Sequence, residues 1–288
     1  MNLIFKFNNT QETSVSFLKV FKGYYEWFKE NNPSIEIILD DVSNLKNVYA
    51  GSNDSGYFLT ITNPITKKYI VVSYWDKSYD LKSKSCGWSY DKCVDLICSC
   101  GIRDDIKYTP FTYIFNNKDF YNIIDEVDIP FNKKEDLDLL FRGNLYGYRE
   151  ELQKISPKNI TDTIINPKDY LLEISKRKIS LSLNGAAEIC HRDIEIMSTG
   201  SVLLRPELTV KFHNKLIPWV HYIPFKFNPN YSPKKQWEII KDTFNGVRND
   251  EKLLTEISDN SLKWFKQNGT ISSNIELLKK LINIKNIL

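Results

Sequence analysis

The sequence predicts an α/β fold made of two halves, and three observations support this prediction. The chain begins with a strand, a helix and a second strand in direct succession, over residues 3–39. After a polar stretch at residues 125–135, the alternation of strands and helices starts again. Residues 180–205 then combine a strand, a turn of small residues, a helix and a further strand. Such alternation is typical of parallel strands joined by crossover helices.

The first predicted domain spans residues 1–130. Its expected elements are strands at 3–7, 35–39, 57–62, 69–74 and 111–115, and helices at 13–30 and 93–100. The long helix is indicated by apolar side chains at spacings of three and four, and the strands by short apolar runs. The short helix is expected to stop at Gly101.

The second predicted domain spans residues 131–288. Its expected strands lie at 137–141, 163–165, 179–183, 202–204 and 220–224, and its helices at 148–155, 168–177 and 188–199. Three more helices form a C-terminal tail, at 234–244, 251–266 and 275–287. We expect this tail to pack back onto the first half. Ligands of such sheets bind beyond the carboxyl ends of the strands.

Composition excludes several classes of protein. The 288 residues are 42% hydrophobic, with 11 Gly and 11 Pro, so a disordered or collagen-like chain is excluded. The first 130 residues carry 14 basic and 17 acidic side chains, and the remainder carries 25 and 19. This mild balance predicts no nucleic-acid partner, because a duplex binder is expected to carry a strong basic stripe. The basic second half suits a small phosphorylated ligand, and a chance asymmetry of solvated faces explains the counts equally well.

The five cysteines are interpreted as reduced thiols. Four of them lie within residues 86–100, and their spacing lacks the paired motif and nearby histidine of a zinc site. We expect buried thiols on a short helix there. No secretory signal and no apolar run of membrane-spanning length is recognised, so the sequence predicts a cytoplasmic protein without a membrane span.

The most informative segment is residues 180–205. Its turn, Gly185-Ala186-Ala187, is small enough to let a ligand approach the backbone, and the helix that follows offers free N–H groups at its start. Arg192, in that helix, could reach a phosphate, and Glu195 could accept hydrogen bonds from ribose hydroxyls. The alternative is that Arg192 only bridges Glu188 and Glu195 on one helix face.

A second arginine follows the strand at 137–141, in the sequence Phe141-Arg142-Gly143. This places a cation at the carboxyl edge of the sheet, where a ligand is expected. The alternative is a surface arginine at a turn. His221, within Pro218–Pro224, is interpreted as a core or wall residue rather than a catalyst.

These motifs, in this order, resemble the CAP10-like glycosyltransferases, which include protein O-glucosyltransferases and capsule-associated xylosyltransferases. The carriers of the resemblance are Phe-Arg-Gly at 141–143, the Arg192 helix that runs into Gly-Ser-Val-Leu-Leu at 200–204, and Pro-Trp-Val-His-Tyr-Ile-Pro-Phe at 218–225. It covers roughly residues 137–230, and the N-terminal half matches far less well. The resemblance implies a GT-B fold, in which two Rossmann-like domains face a cleft.

The resemblance also implies an inverting, metal-independent transfer from a nucleotide sugar, in the first place a UDP-sugar, with no cofactor. By position, Arg142 and Arg192 match family arginines that hold the donor diphosphate, and the donor site would include Gly143, Gly185, Ala186 and Glu195. The acceptor would be a hydroxyl of a glycan or protein. A glycan-building role in a bacterium or a large virus fits better than a role in the endoplasmic reticulum, because the retention tail and disulfides of secreted members are missing.

An inverting transfer needs a carboxylate that deprotonates the acceptor hydroxyl. Asp41 follows a predicted strand and is the first candidate, next to Asp40, and Asp76 is its competitor. Each could instead be a solvated turn carboxylate. Asp136 and Asp138 form a D-x-D before a strand, at the wrong edge for a metal-bound donor, and are interpreted as solvated.

Two other functions stay open at this point. One is a retaining transferase on the same fold, in which Glu195 and the donor phosphate matter and no base is needed. The other is a nucleotide-sugar-binding module without turnover.

Overall fold

The computed structural model describes residues 2–7, 16–41, 58–74, 93–98, 108–110, 112, 120–127, 129–185 and 188–288. The chain forms two compact units. The first unit comprises residues 1–118, 210–215 and 268–288, and the second unit comprises residues 119–209 and 216–267. The domain boundary that the sequence predicts at residue 130 stays a prediction.

The first unit is built on a six-stranded mixed sheet. Its elements are β1 (Asn2–Phe7), α1 (Ser16–Asn31), β2 (Glu36–Asp41), β3 (Phe58–Thr62), β4 (Tyr69–Ser73), β5 (Cys93–Cys98) and β6 (Tyr108–Pro110). The strand order is β2-β1-β3-β4-β5-β6, and only β3 runs against the others. The carboxyl ends of the five remaining strands therefore lie at one edge.

The predicted strand–helix–strand start is present as β1, α1 and β2. Alternate residues of β1 are buried, and Phe5 and Phe7 are in ring contact with the α1 residue Tyr25. Burial of one face of a strand against one stripe of a helix is the arrangement that the period-2 and period-3.6 patterns demand.

The predicted helix at 93–100 is wrong. Residues 93–98 form β5, which pairs in parallel with β4 and β6 on its two sides. The sequence of β5, Cys-Val-Asp-Leu-Ile-Cys, does not alternate strictly between apolar and polar residues, so its pattern is ambiguous with that of a short helix.

The end of the chain belongs to the first unit. α8 (Ile271–Leu281) packs on α1, where a Cβ on Gly23 would lie 2.6 Å from the Ile275 side chain. Asn274 accepts a 2.6 Å hydrogen bond from the buried Tyr74 hydroxyl. The expected return of the tail to the first half is therefore confirmed for its last helix.

The second unit alternates helices with short parallel strands. Its elements are α2 (Phe120–Ile123), β7 (Phe141–Arg142), α3 (Tyr148–Ile155), β8 (Ile160–Thr161), α4 (Pro167–Ser175), β9 (Ile179–Leu181), α5 (His191–Ser198), β10 (Val202–Pro206), β11 (Ile223–Phe225), α6 (Pro233–Val247) and α7 (Glu251–Asn268). The strands form a parallel sheet of order β11-β10-β9 and a parallel pair of β7 and β8.

Several predicted boundaries in this unit shift. The strand expected at 163–165 is β8, at Ile160–Thr161, and the strand expected at 220–224 starts only at Ile223. Residues before Ile223 instead form a turn in which Trp219 has a φ of 63°. Gly200 has a φ of 68° and ends α5, as expected from the left-handed conformation that glycine tolerates at helix ends.

The α/β fold class predicted from the sequence is confirmed, with two sheet-bearing units and C-terminal helices. Within the described residues, no helix combines the length and apolarity that crossing a membrane requires.

Candidate functional site

The loop after β9 lies at the carboxyl edge of the β11-β10-β9 sheet and leads into α5. Cys190 is the N-cap of α5, and its backbone N–H donates a 2.8 Å hydrogen bond to the Asp193 carboxylate. This is a capping-box arrangement, which fixes where the helix begins. Gly185 lies in this loop and is half-buried, whereas Ala186 lies outside the described residues.

Arg149, on α3, binds the first part of this loop. Its guanidinium donates to the carbonyl oxygens of Leu183 at 2.7 Å, Asn184 at 3.0 Å and Asn144 at 2.9 Å. Burial lowers the pKa of Arg149. Because its three acceptors lie after β7 and after β9, the buried Arg149 guanidinium connects the ends of these two strands. Loss of any of these hydrogen bonds would leave a buried polar group without a partner.

Arg205, on β10, holds the second part of the loop. It is 1% exposed and lies 2.5 Å from the Asp193 carboxylate, which is fully buried. The same guanidinium donates to the Asn184 side chain at 3.1 Å and to the carbonyl of Glu188 at 2.8 Å. Arg205 therefore binds both the cap of α5 and the loop before it.

Neither of these two arginines was identified from the sequence. Arg205 is a charged residue inside the apolar strand Val-Leu-Leu-Arg-Pro, and this position was the available signal. Charged residues are almost never fully buried unless they are paired. For Asp193, the signal was its position three residues after the cap Cys190.

Arg192 does not bridge Glu188 and Glu195. α5 begins at His191, and the Glu188 carboxylate accepts hydrogen bonds from Thr209 instead. The Arg192 side chain extends to the end of β7, where its Nη2 donates to the carbonyl of Arg142 and its guanidinium lies 4.1 Å from the centre of the Phe141 ring.

Gly143 makes this approach of Arg192 possible. A Cβ at position 143 would lie 1.8 Å from Arg192 Nη2, so no other residue fits there without displacing the guanidinium. The structure therefore brings together three of the predicted site residues, Arg142, Gly143 and Arg192, at the end of β7.

Glu195 lies one helical turn beyond Arg192 and shares its surroundings. Burial raises the pKa of Glu195 to about 7, against the opposing effects of Arg192 and of a hydrogen bond with Tyr170. The Tyr170 hydroxyl also accepts a 3.2 Å hydrogen bond from Arg192 Nε. Glu195 thus helps to position the Arg192 side chain through their shared hydrogen-bond partner, Tyr170.

Arg142, at the carboxyl end of β7, is partly exposed and pairs with Glu173 on α4. Two hydrogen bonds join the side chains, from Nε to Oε2 at 2.9 Å and from Nη2 to Oε1 at 3.2 Å. A third runs from Nη1 to the carbonyl of Thr163 at 3.0 Å. These bonds use three of the five guanidinium N–H groups, so a ligand that binds Nε and Nη2 together must displace Glu173.

Asp41 ends β2, at the edge where the carboxyl ends of five strands of the first unit lie. Asp40 forms a 2.9 Å ion pair with Lys6. Asp76 lies outside the described residues, three positions beyond β4. Because β2 and β4 are separated by three strand spacings, their ends lie about 14 Å apart.

Asp136, Asp138 and His221 each contact other residues of the second unit. Asp136 and Asp138 both lie beside Arg248, at 3.0 Å and 3.9 Å, and Asp138 is 86% exposed. His221 Nδ1 accepts a 2.9 Å hydrogen bond from the backbone N–H of Ile217. Among the residues that the structure describes, no group of three or more His, Cys, Asp or Glu side chains could hold a metal ion.

Comparison with known proteins finds similarity in structure alone. No protein family and no curated protein matches this sequence. An alpha-glucosyltransferase in complex with UDP-glucose and DNA containing an abasic site is 10% identical, with a TM-score of 0.46 over 98% of this chain and 99% of the other. An alpha-glucosyltransferase in complex with UDP is 10% identical, with a TM-score of 0.45 over 96% and 98%.

A third structure, an alpha-glucosyltransferase with UDP and a 13-mer DNA containing a central A:G mismatch, is also 10% identical. Its TM-score is 0.47, and the match covers 96% of this chain and 97% of that one. The expectation that nucleic acid is no partner is contradicted by these neighbours, since two of the three hold DNA. Net charge was a poor guide, because it says nothing about where on a surface the basic side chains lie.

Proposed function

We propose that this chain is a glycosyltransferase of the GT-B fold that moves a sugar from a nucleotide diphosphate sugar, first of all a UDP-sugar, to a hydroxyl group. The observation that carries the proposal is the position of Arg142 and Arg192 at the end of β7, where Arg192 packs against Gly143 and binds the carbonyl of Arg142. This end lies beside a loop that two buried arginines hold at the carboxyl edge of a parallel sheet. Rigid backbone and partly exposed cations at this edge suit a diphosphate.

Donor binding divides between two kinds of residue. Arg142 contacts the diphosphate, because its planar guanidinium matches two phosphate oxygens. Gly185 and Ala186 let the donor approach the backbone, and the start of α5 adds a partial positive charge. Arg192 acts through Arg142, whose carbonyl it binds, and Glu195 acts through Tyr170 on Arg192.

Transfer proceeds with inversion and without a metal. Asp41 or Asp76 removes the proton of the acceptor hydroxyl, the hydroxyl oxygen bonds to the anomeric carbon, and the bond from that carbon to the diphosphate oxygen breaks. The leaving diphosphate gains negative charge, which Arg142 and the start of α5 stabilise. The resemblance of residues 137–230 to CAP10-like transferases supports this assignment of the reaction class.

Turnover and stereochemistry test the proposal together. The purified chain is incubated with a panel of UDP-sugars and with glycan, peptide and hydroxyl-bearing DNA acceptors, and release of UDP is measured. Release with a product whose anomeric configuration is opposite to the donor's, read by NMR, is expected. Retained configuration would contradict inversion, and UDP binding without release would leave only a binding module.

Replacing each base candidate separately tests its role. One of Asp41→Asn and Asp76→Asn is expected to lower kcat by at least about 100-fold, and the other by less than tenfold, because a single carboxylate takes the proton of the acceptor hydroxyl. Asp138→Asn is the matched control, because that carboxylate is 86% exposed beside Arg248. Undiminished kcat in both candidates would exclude a base at these positions.

A further inference from the structure

One cavity in the described part of the second unit is lined by more cationic than anionic side chains. Arg142, Arg177 and Arg192 line it together with Tyr170, and Glu173 is the single carboxylate in the lining. A lining with three guanidinium groups and one carboxylate attracts a further anion. The side chain of Glu173 is therefore the group whose position decides which anion Arg142 meets.

Glu173 binds Arg142 in the geometry that a phosphate would use. Its two oxygens accept from Nε and Nη2 of the same guanidinium, at 2.9 Å and 3.2 Å. Two oxygens of a phosphate offer a guanidinium the same paired acceptors, which is why arginine recognises both groups bidentately. The side chains of Arg142 and Glu173 are 17% and 26% exposed, so the pair is shielded and still within reach of a ligand.

A second partner for Glu173 lies close by. Arg177 Nη2 is 4.0 Å from Glu173 Oε1, and Arg177 Nε is buried without a hydrogen-bond partner among the described residues. A buried donor without a partner is rare in folded proteins and calls for an explanation. Glu173 could satisfy this N–H by a side-chain rotation away from Arg142, without movement of α4.

We propose that Glu173 is an internal competitor for the donor: it occupies the anion position on Arg142 in the free protein and transfers to Arg177 when a diphosphate binds. The inference rests on the proposed function, because it takes Arg142 as the residue that contacts the diphosphate. Glu173 then sets the affinity of the site.

Titration calorimetry with UDP tests the exchange. Removing the charge with Glu173→Gln is expected to tighten UDP binding about threefold to tenfold, because the diphosphate no longer displaces an ion pair. Glu173→Asp, whose carboxylate is one methylene shorter, is expected to tighten binding by a smaller factor. Glu126→Gln is the matched control, since Glu126 pairs with Lys168 on the same unit but lies outside the cavity, and its UDP affinity is expected to equal that of the wild type.

The outcomes separate this inference from the proposed function. Unchanged or weaker UDP binding in Glu173→Gln, with wild-type binding intact and both proteins folded by circular dichroism, would overturn the competitor role alone. A gain that persists in the double variant Arg142→Gln/Glu173→Gln would also overturn it, because the exchange acts through Arg142. Absence of UDP binding in the wild type and in every variant would overturn the proposed function as well.

Discussion

The loop after β9 and the end of β7 both depend on arginines, but the two regions use them in opposite ways. Arg149 and Arg205 are buried, and their partners are carbonyl oxygens or a fully buried carboxylate. Arg142 is partly exposed, and its partner Glu173 has a second cation nearby. Buried arginines with buried partners therefore shape the loop, whereas a partly exposed arginine with an exchangeable partner is available to a ligand.

Arg205 should give the largest loss of stability. Arg205→Met leaves the Asp193 carboxylate buried without its cation, and removal of one partner from a buried pair costs about 3–5 kcal/mol. Urea denaturation followed by circular dichroism measures this loss. The double variant Arg205→Met/Asp193→Asn is expected to recover part of it, because no uncompensated charge remains.

An exposed ion pair of the same unit provides the control. Lys168→Met removes the cation that contacts Glu126, and we expect no measurable change in the free energy of unfolding. A loss in Arg205→Met as small as in this control would contradict the scaffolding role of the buried pair.

Gly143→Ala should have an intermediate effect at the end of β7. The new methyl group would lie 1.8 Å from Arg192 Nη2, so the guanidinium must move, and such overpacking costs about 1–3 kcal/mol. Thermal unfolding checks the stability, and calorimetry checks whether UDP affinity falls as well. Gly246→Ala, in α6 with open space around its Cβ, should instead raise stability by about 0.5–1 kcal/mol. A stabilising effect at both positions would contradict the close packing of Arg192.

Glu195 should give the smallest effect, and one that depends on pH. Burial raises its pKa from 4.5 to about 7, so the folded protein holds this proton more tightly than the unfolded chain. The stability that Glu195 contributes is therefore present below pH 4.5 and is lost as the pH rises to 7. Relative to the wild type, Glu195→Gln is expected to gain about 1–2 kcal/mol between pH 4 and pH 6.

The wild type at matched pH is the reference for this measurement. Burial lowers the pKa of the neighbouring His191 from 6.5 to about 4, which adds a pH dependence of opposite sign to both proteins. The difference between Glu195→Gln and the wild type removes that contribution. A difference that stays constant from pH 4 to pH 8 would show that Glu195 titrates normally.

Some secondary-structure elements could be predicted from the sequence, and others could not. α3 lies where the apolar spacing predicts it, at Tyr148–Ile155, and β1 is the strand indicated by strict alternation. Both elements bury one face only, so their sequence period records their structure. β5 was predicted as a helix because its sequence, Cys-Val-Asp-Leu-Ile-Cys, has no strict alternation, and a short segment of this kind is ambiguous between strand and helix.

For the candidate site, sequence reasoning identified the partly exposed arginines and missed the buried ones. Arg142 and Arg192 follow strand and helix positions that a ligand is known to favour, so their places in the pattern were informative. Arg149 and Arg205 act on backbone carbonyls and on Asp193, which are brought together only by tertiary packing. Glu173 was missed for the same reason, since 31 residues separate it from Arg142.

A crystal structure of the chain with UDP would show directly whether Arg142 holds the diphosphate. We expect a diphosphate oxygen within hydrogen-bond distance of the Arg142 guanidinium, close to the start of α5, with Glu173 turned toward Arg177. A diphosphate bound elsewhere, while Arg142 keeps both hydrogen bonds to Glu173, would contradict it.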